Sequence, residues 1–235
     1  MEELLHGTGI FLLYVLPAAG IMFTARWFLK IPNELFRKIL HFILLGAYIP
    51  VLFAFRVWWH AVILAVGIVA LFFPAFTLLG KIPNFSSFVN ERKAGEFRSS
   101  LVLALSTMAI SITICWGILD DKLLTLACVY AWGVGDGLAA LVGKQFGKHK
   151  IRLPFADPQK SVEGSLTMFL CSVISVAAVL WVRGGLEPGS CLLIAVAAAA
   201  VTTYVELCTK GGYDTVTCPL AAMSVILPLT QIVGG

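Results

Sequence analysis

Residues 122–144 read KLLTLACVYAWGVGDGLAALVGK, an apolar stretch with one acidic residue, Asp136, and a lysine at each end. A helix needs about 20 apolar residues to cross the hydrocarbon core of a bilayer, and it must satisfy its own backbone hydrogen bonds there. Residues 122–142 meet that length. They therefore predict a transmembrane helix that carries a carboxylate within the membrane.

Seven further stretches have the length and apolar composition of a transmembrane helix. They are 8–28, 38–55, 58–79, 99–119, 162–182, 189–209 and 215–233. Of all 235 residues, 59% are hydrophobic and 13% are charged, whereas an ordinary soluble domain is about half apolar and about a quarter charged. The sequence predicts an all-α, polytopic integral membrane protein with about eight transmembrane helices, packed as one bundle in a single domain over residues 1–235.

The positive charges fall on one side of this predicted bundle. All but three of the 17 Lys and Arg residues lie in or beside connections at about 29–37, 80–98, 143–161 and 210–214, and the exceptions are Arg56, Lys122 and Arg183. Positive charge is retained in the cytoplasm, so we predict that these connections are cytoplasmic and that both termini are outside. The endoplasmic reticulum and a bacterial inner membrane fit equally well. The net charge of +4 is modest, and no basic patch for nucleic acid is present.

Asp136 is the strongest candidate for a functional residue. An ionisable side chain inside the membrane costs several kcal/mol unless it is paired or hydrated, which favours a functional role. On a helix, Asp136 shares one face with Ala140, Gly143 and Gly147. Helix packing through small residues accounts for the glycines but not for the aspartate. We predict that the chain of a lipid substrate lies along this small-residue face.

The connection that follows is the longest basic segment of the chain. It reads KHKIRLPFADPQKSVEGS from Lys148 to Ser165. A solvated loop that touches anionic headgroups is the simplest interpretation. However, Lys160 directly precedes Ser161, which can cap the sixth span, and a helix N-terminus beside a lysine is suited to phosphate binding.

Further carboxylates lie at the predicted inner ends of other spans. Glu163 begins the sixth span, Glu206 lies at the inner end of the seventh, and Asp214 precedes the eighth. Oxygen ligands beside a basic cluster are what a magnesium-bound polyphosphate needs. The pattern favours a membrane enzyme that acts on a nucleotide and a lipid at the inner interface.

Two charged motifs precede the second and fourth spans. Arg37, Lys38 and His41 lie at the start of the second span, where interfacial snorkelling is the simple interpretation. Arg92 and Glu96 precede the fourth span and can pair at a spacing of four residues. Both motifs lie at ends of spans that we predict to be cytoplasmic.

The central motifs, DGLAALVGKQFGKHK at 136–150 and KSVEGS at 160–165, resemble those of the polyprenol kinase family. This family includes dolichol kinase, phytol kinase and the CTP-dependent diacylglycerol kinase. The resemblance extends from residue 37 to residue 219, because three flanking motifs are also similar: Arg37-Lys38-xx-His41, Gly95-Glu96, and Glu206 with Asp214-Thr-xxx-Pro219. The chain departs from the pattern at Thr215, where the resemblance leads us to expect Asn.

The resemblance implies a CTP-dependent lipid-alcohol kinase. Such an enzyme transfers a phosphoryl group to the hydroxyl of a polyprenol, a phytol-like alcohol or diacylglycerol, with Mg²⁺ or another divalent cation. A CDP-lipid synthase is the alternative, because its motifs are distantly similar. A transporter is a more distant alternative, since the polar residues gather near one surface instead of spreading through the membrane. The acceptor alcohol and the oligomeric state do not follow from the sequence.

The resemblance and the charges together lead us to predict roles for individual residues. Catalytic roles are predicted for Asp136, Lys160 and Glu163, and metal binding for Asp136, Glu206 and Asp214. Nucleotide contacts are predicted for Arg37, Lys38, Lys144, Lys150, Arg152, Lys160, Ser161, Gly164 and Ser165. Supporting roles are predicted for His41, Arg92, Glu96, Gly143 and Gly147. The base for the lipid hydroxyl is left open among Glu163, Asp136 and His41.

Overall fold

The computed structural model describes residues 1–80, 95–152, 154 and 156–234. These residues form nine α-helices: α1 Glu2–Phe28, α2 Asn33–Gly46, α3 Tyr48–Ala54, α4 Trp58–Leu79, α5 Glu96–Ser111, α6 Lys122–Phe146, α7 Val162–Arg183, α8 Pro188–Cys208 and α9 Asp214–Gly234. A π-helical segment, Ile112–Ile118, continues α5. In the same residues the only β-pairing is one isolated antiparallel bridge, between Lys150 and Ser161.

The described helices provide eight spans that are long and apolar enough to cross a membrane. Helices α2 and α3 together make one of them, Asn33–Ala54, and α5 with its π-helical segment makes another, Glu96–Ile118. The predicted all-α fold and the predicted number of spans are therefore confirmed.

Several helices extend into the connections that the sequence predicts. Residues 33–37, 96–98 and 143–146 are helical, so the second and fourth spans begin earlier and the fifth ends later than expected. Arg92 lies outside the described residues. The connection between α6 and α7 is correspondingly short, and it begins at Gly147, the C-cap of α6.

Helix α6 is the central helix of the bundle. Of the residues in its apolar stretch, 56% are buried, compared with 11% in α1 and in α4. Its glycines allow this burial, because atoms of adjacent helices occupy the space that larger side chains would fill. A Cβ at Gly137 would meet the ring of Phe42 in α2, and a Cβ at Gly135 would lie 2.5 Å from Met168 Sδ in α7. The centre of α6, with Asp136 between these two glycines, is thus enclosed by protein.

Candidate active site

The carboxylate of Asp136 forms an ion pair with Lys38. Lys38 Nζ donates to Asp136 Oδ2 at 2.7 Å, and the two side chains are 16% and 14% exposed. Helix α2 brings the lysine to this place because Phe42, one turn further along α2, packs over Gly137 of α6. The aspartate predicted within the membrane is therefore both enclosed and neutralised.

A second buried pair joins Lys160 to Glu206. Lys160 Nζ donates to Glu206 Oε1 at 2.5 Å and also to the backbone carbonyl of Glu206. This carbonyl lies in the last turn of α8, where helical carbonyls lack donors four residues ahead and where the helix dipole attracts a cation. The glutamate side chain is only 9% exposed.

Asp214, the first residue of α9, is the third carboxylate of the group. Its Oδ1 accepts a hydrogen bond from Thr215 N at 3.0 Å. The charges of Asp136, Glu206 and Asp214 interact with one another and with Lys160. Five residues from four helices and one connection thus form what we call the buried charge cluster: Lys38, Asp136, Lys160, Glu206 and Asp214.

The buried charge cluster holds three carboxylates against two lysines. Within the part of the chain that the structure describes, no three His, Cys, Asp or Glu side chains are grouped closely enough to form a metal site on their own. Mg²⁺ commonly uses only one or two protein carboxylates and takes its other ligands from substrate phosphates and water. Asp214 accepts from a backbone amide and, among the described residues, from no lysine, so it suits such a role. The donor set therefore fits a cation that arrives with a nucleotide.

The small-residue face of α6 packs against the start of α7. A Cβ at Gly143 would lie 3.3 Å from Ser161 Oγ, and a Cβ at Gly164 would lie 3.4 Å from Gly143 Cα. Gly147 also lies against Ser161. The prediction that a lipid chain occupies this face is therefore wrong, because α7 already fills it.

Ser161 caps α7, as its sequence context predicts. Its Oγ accepts from Gly164 N at 3.2 Å, and Ser165 N donates to Ser161 O at 3.0 Å. Val162 N donates to the carbonyl of His149 at 2.9 Å. The amides of Gly164 and Ser165, two of the residues predicted to contact the nucleotide, are thus already engaged within the protein.

Glu163 lies apart from the buried charge cluster. Its carboxylate accepts from the backbone amides of Lys148 and His149, each at 3.2 Å, and lies 2.7 Å from His149 Nδ1. These partners belong to the connection that precedes α7. The predicted catalytic residue is therefore engaged with backbone.

Three of the predicted nucleotide-binding residues, at the end of α6 and in the connection after it, point to solvent. Lys144, Lys150 and Arg152 are exposed. Lys150 Nζ donates to the carbonyl of Gln159 at 3.0 Å. The structure brings Lys160 into the buried charge cluster and leaves these three cations exposed.

The described residues of the two earlier motifs make contacts between helices. Arg37 bridges Glu34 and Glu96, with an N–O distance of 3.2 Å in each pair, so Glu96 joins α5 to α2. His41 Nε2 lies 2.8 Å from the carbonyl of Gly133 in α6. A carbonyl only accepts, so Nε2 carries the proton, and Nδ1 is the acceptor of the neutral ring.

Trp132 is a residue that the sequence reasoning missed. Its ring meets His41 edge to face, with centroids 5.1 Å apart. Its indole N–H is buried and has no hydrogen-bond partner among the described residues. Its position one helical turn before Asp136 could have indicated that it lies beside the site. However, a tryptophan in an apolar helix is usually a packing residue.

Comparison with known proteins adds two findings. The model of a family described as the cytidylyltransferase family matches residues 11–235. The chain is 32% identical over 200 residues to the phytol kinase of Synechocystis sp., and this match covers 81% of the chain and 77% of that protein. No solved structure matches the chain.

Proposed function

We propose a function from one premise: the chain belongs to the cytidylyltransferase family and, together with its phytol kinase relative, to the polyprenol kinases. The chain is a CTP-dependent lipid kinase, and its acceptor is an isoprenoid alcohol like phytol. The hydroxyl oxygen of the alcohol attacks the γ-phosphorus of CTP. The bond from that phosphorus to the β,γ-bridging oxygen breaks, so the products are the lipid phosphate, CDP and a proton.

The buried charge cluster is the observation that carries this proposal. Asp136, Glu206 and Asp214 come from three helices, and lysines from two other parts of the chain pair with two of them. Charges buried in a membrane protein are costly, and packing alone does not require them. A polyphosphate with its cation carries both signs of charge. Its phosphates can pair with the lysines while its cation pairs with the carboxylates, so that no residue of the cluster is left unpaired.

Phosphoryl transfer depends mainly on positioning and on neutralisation of charge. Lys160 turns from Glu206 to the phosphate oxygens of CTP, and Lys38 stabilises the developing negative charge from the α2 side. Asp214, with Asp136 or Glu206, would hold a divalent cation, and the bound cation would further neutralise the phosphates. The exposed Lys144, Lys150 and Arg152 attract the nucleotide from solution.

The lipid hydroxyl also needs a proton acceptor within hydrogen-bond reach. Asp136 and His41 are the candidates beside the cluster, since Nδ1 of the neutral His41 ring is an acceptor. We assign the site to the cytoplasmic face, where CTP is present and where the basic connections are predicted to lie.

A CDP-lipid synthase is the second candidate, because the description of the matching family names cytidylyl transfer. In that reaction a lipid phosphate oxygen attacks the α-phosphorus of CTP, and pyrophosphate leaves. The same charges would serve, since both reactions place a triphosphate among cations.

Labelled CTP distinguishes the two reactions. The purified protein in lipid nanodiscs is incubated with γ-labelled or α-labelled CTP and with phytol, a longer polyprenol, diacylglycerol or phosphatidate. A kinase transfers only the γ label, and we expect it on phytol. Transfer of the α label to phosphatidate would replace the kinase with a synthase, and transfer of neither label to any acceptor would contradict both.

A further inference from the structure

We infer that Glu163 is a positioning residue, which fixes Lys160 by accepting backbone hydrogen bonds and does not itself exchange a proton or bind a metal. This inference rests on the proposed function, because Lys160 is assigned there to the phosphates of CTP. The relevant part of the chain is a short antiparallel stem, residues 148–151 and 160–163. Its two sides are joined by the Lys150–Ser161 bridge.

The stem determines the backbone position of Lys160. The carbonyl of Lys160 accepts from Ile151 N at 3.1 Å, and the amide of Lys160 donates to the carbonyl of Asp157 at 3.0 Å. With both backbone groups held, the long side chain reaches Glu206 from a fixed origin. A lysine side chain otherwise has much rotational freedom, so a fixed backbone lowers the cost of placing its ammonium group.

Glu163 closes the stem at its base. Its carboxylate accepts from the amides of Lys148 and His149, which have no helical acceptor because α6 ends at Phe146. The amide of Val162 completes the base by donating to the carbonyl of His149 at 2.9 Å. The carboxylate therefore joins the first turn of α7 to the first residues of the connection.

The surroundings of Glu163 favour this role over proton transfer. Its side chain is 25% exposed, and the side chain of its partner His149 is 79% exposed. The hydrogen-bond partners of its carboxylate are the amides of Lys148 and His149 and the ring of His149, and neither residue belongs to the buried charge cluster. Its contacts with Lys148 and His149 lie on the solvent side of the α7 start.

Glutamine separates the two roles. In Glu163→Gln the amide oxygen can still accept from both backbone amides, but the side chain can neither take a proton nor serve as an anionic metal ligand. In Glu163→Ala the acceptor is lost. Lys148→Ala is the matched control, because it removes an exposed side chain and keeps the amide that Glu163 binds.

Hydrogen exchange tests the inference without relying on catalysis. For the full-length protein in nanodiscs, we expect Glu163→Ala to accelerate exchange of the amides in the stem, including that of Lys160. Glu163→Gln and Lys148→Ala should exchange as the unmodified protein does. Unchanged exchange in Glu163→Ala would overturn the inference, even if no transferase activity were found in any sample.

Steady-state kinetics then tests the link to Lys160. We expect Glu163→Ala to lower kcat/KM for CTP by about tenfold to a hundredfold, the size of loss that follows a small misplacement of a catalytic group. Glu163→Gln should restore kcat/KM to within about threefold of the unmodified protein. If Glu163→Gln is as inactive as Glu163→Ala, the carboxylate acts through its charge and the inference is wrong. Failure of the proposed function appears differently, as absent transfer by the unmodified protein.

Discussion

Lys38 and Asp136 are 98 positions apart in the sequence, yet their side chains form a 2.7 Å ion pair between α2 and α6. Neither side chain is more than 16% exposed. An ion pair that is largely removed from water is costly to form but even more costly to break from one side, because the remaining charge has no partner. This relation makes the stability of the bundle depend on a pair that the proposed reaction also uses.

Replacing one member of this pair should destabilise the protein. We expect Lys38→Met and Asp136→Asn each to lower the free energy of unfolding, with Lys38→Met losing about 3–5 kcal/mol because it leaves a buried carboxylate unpaired. The double variant should be more stable than Lys38→Met alone. Thermal unfolding can be followed with a thiol-reactive dye, since the six cysteines are free and mostly buried. Additive losses in the double variant would show that the two residues do not depend on each other.

The second buried pair should be essential for catalysis. Lys160→Ala removes the ammonium group that we assign to the phosphates of CTP, and the loss of one such contact typically costs about 10²–10³ in kcat. We expect at least this loss in Lys160→Ala, and a comparable loss in Asp136→Asn, while both proteins still insert into the membrane. The measurement is transfer of the γ label from CTP to phytol. The amount of each variant recovered from the membrane fraction is the control for insertion. Near-normal transfer by either variant would remove that residue from the site.

The sequence alone predicts the spans and singles out the members of the buried charge cluster, but it does not predict their pairing. Length and hydropathy suffice for eight spans because lipid requires them in each helix separately. Which basic side chain pairs with Asp136 depends instead on how α2 crosses α6, and no local sequence pattern indicates how the two helices cross. Arg37, predicted to bind nucleotide, binds Glu34 and Glu96.

The small-residue face of α6 is a second feature whose partner the sequence alone does not identify. A stripe of glycines indicates that something approaches the backbone closely, but it does not say whether that is a lipid chain or another helix. At Gly143 and Gly147 it is the cap of α7 at Ser161. The partner could be identified only once the positions of both helices were known.

The close contact of α6 with α7 should not tolerate an added methyl group. A Cβ at Gly135 would lie 2.5 Å from Met168 Sδ and 2.9 Å from the backbone oxygen of Met168, which cannot move aside. We expect Gly135→Ala to lower the free energy of unfolding by about 1–3 kcal/mol, as overpacking does. Gly67→Ala is the matched control, because nothing lies within 4 Å of its Cβ position in α4. Equal thermal midpoints for the two variants would contradict the packing described for α6.

Charges at the other end of α6 should contribute to stability but not to catalysis. Asp121 Oδ1 accepts from Leu124 N at 2.9 Å and caps α6, while Asp121 Oδ2 lies 2.6 Å from Arg183 Nε at the end of α7. Loss of an aspartate cap costs about 1 kcal/mol, and we expect Asp121→Ala to lose at least that. Its kcat per folded molecule should equal that of the unmodified protein. A large fall in kcat with an unchanged thermal midpoint would instead place catalytic groups at this end.

The membrane orientation can be tested with two exposed positions on opposite sides of the predicted bundle. Gln159 lies in the connection before α7, and Glu187 is the N-cap of α8, at the other end of α7. Positive charge is retained in the cytoplasm, so in intact cells a membrane-impermeant maleimide should label Glu187→Cys and leave Gln159→Cys unlabelled until the membrane is opened. The unmodified protein is the control, because its six native cysteines are buried or half-buried. The opposite labelling would place Lys160 and the cluster outside, away from cellular CTP, and the proposed reaction could then not take place there.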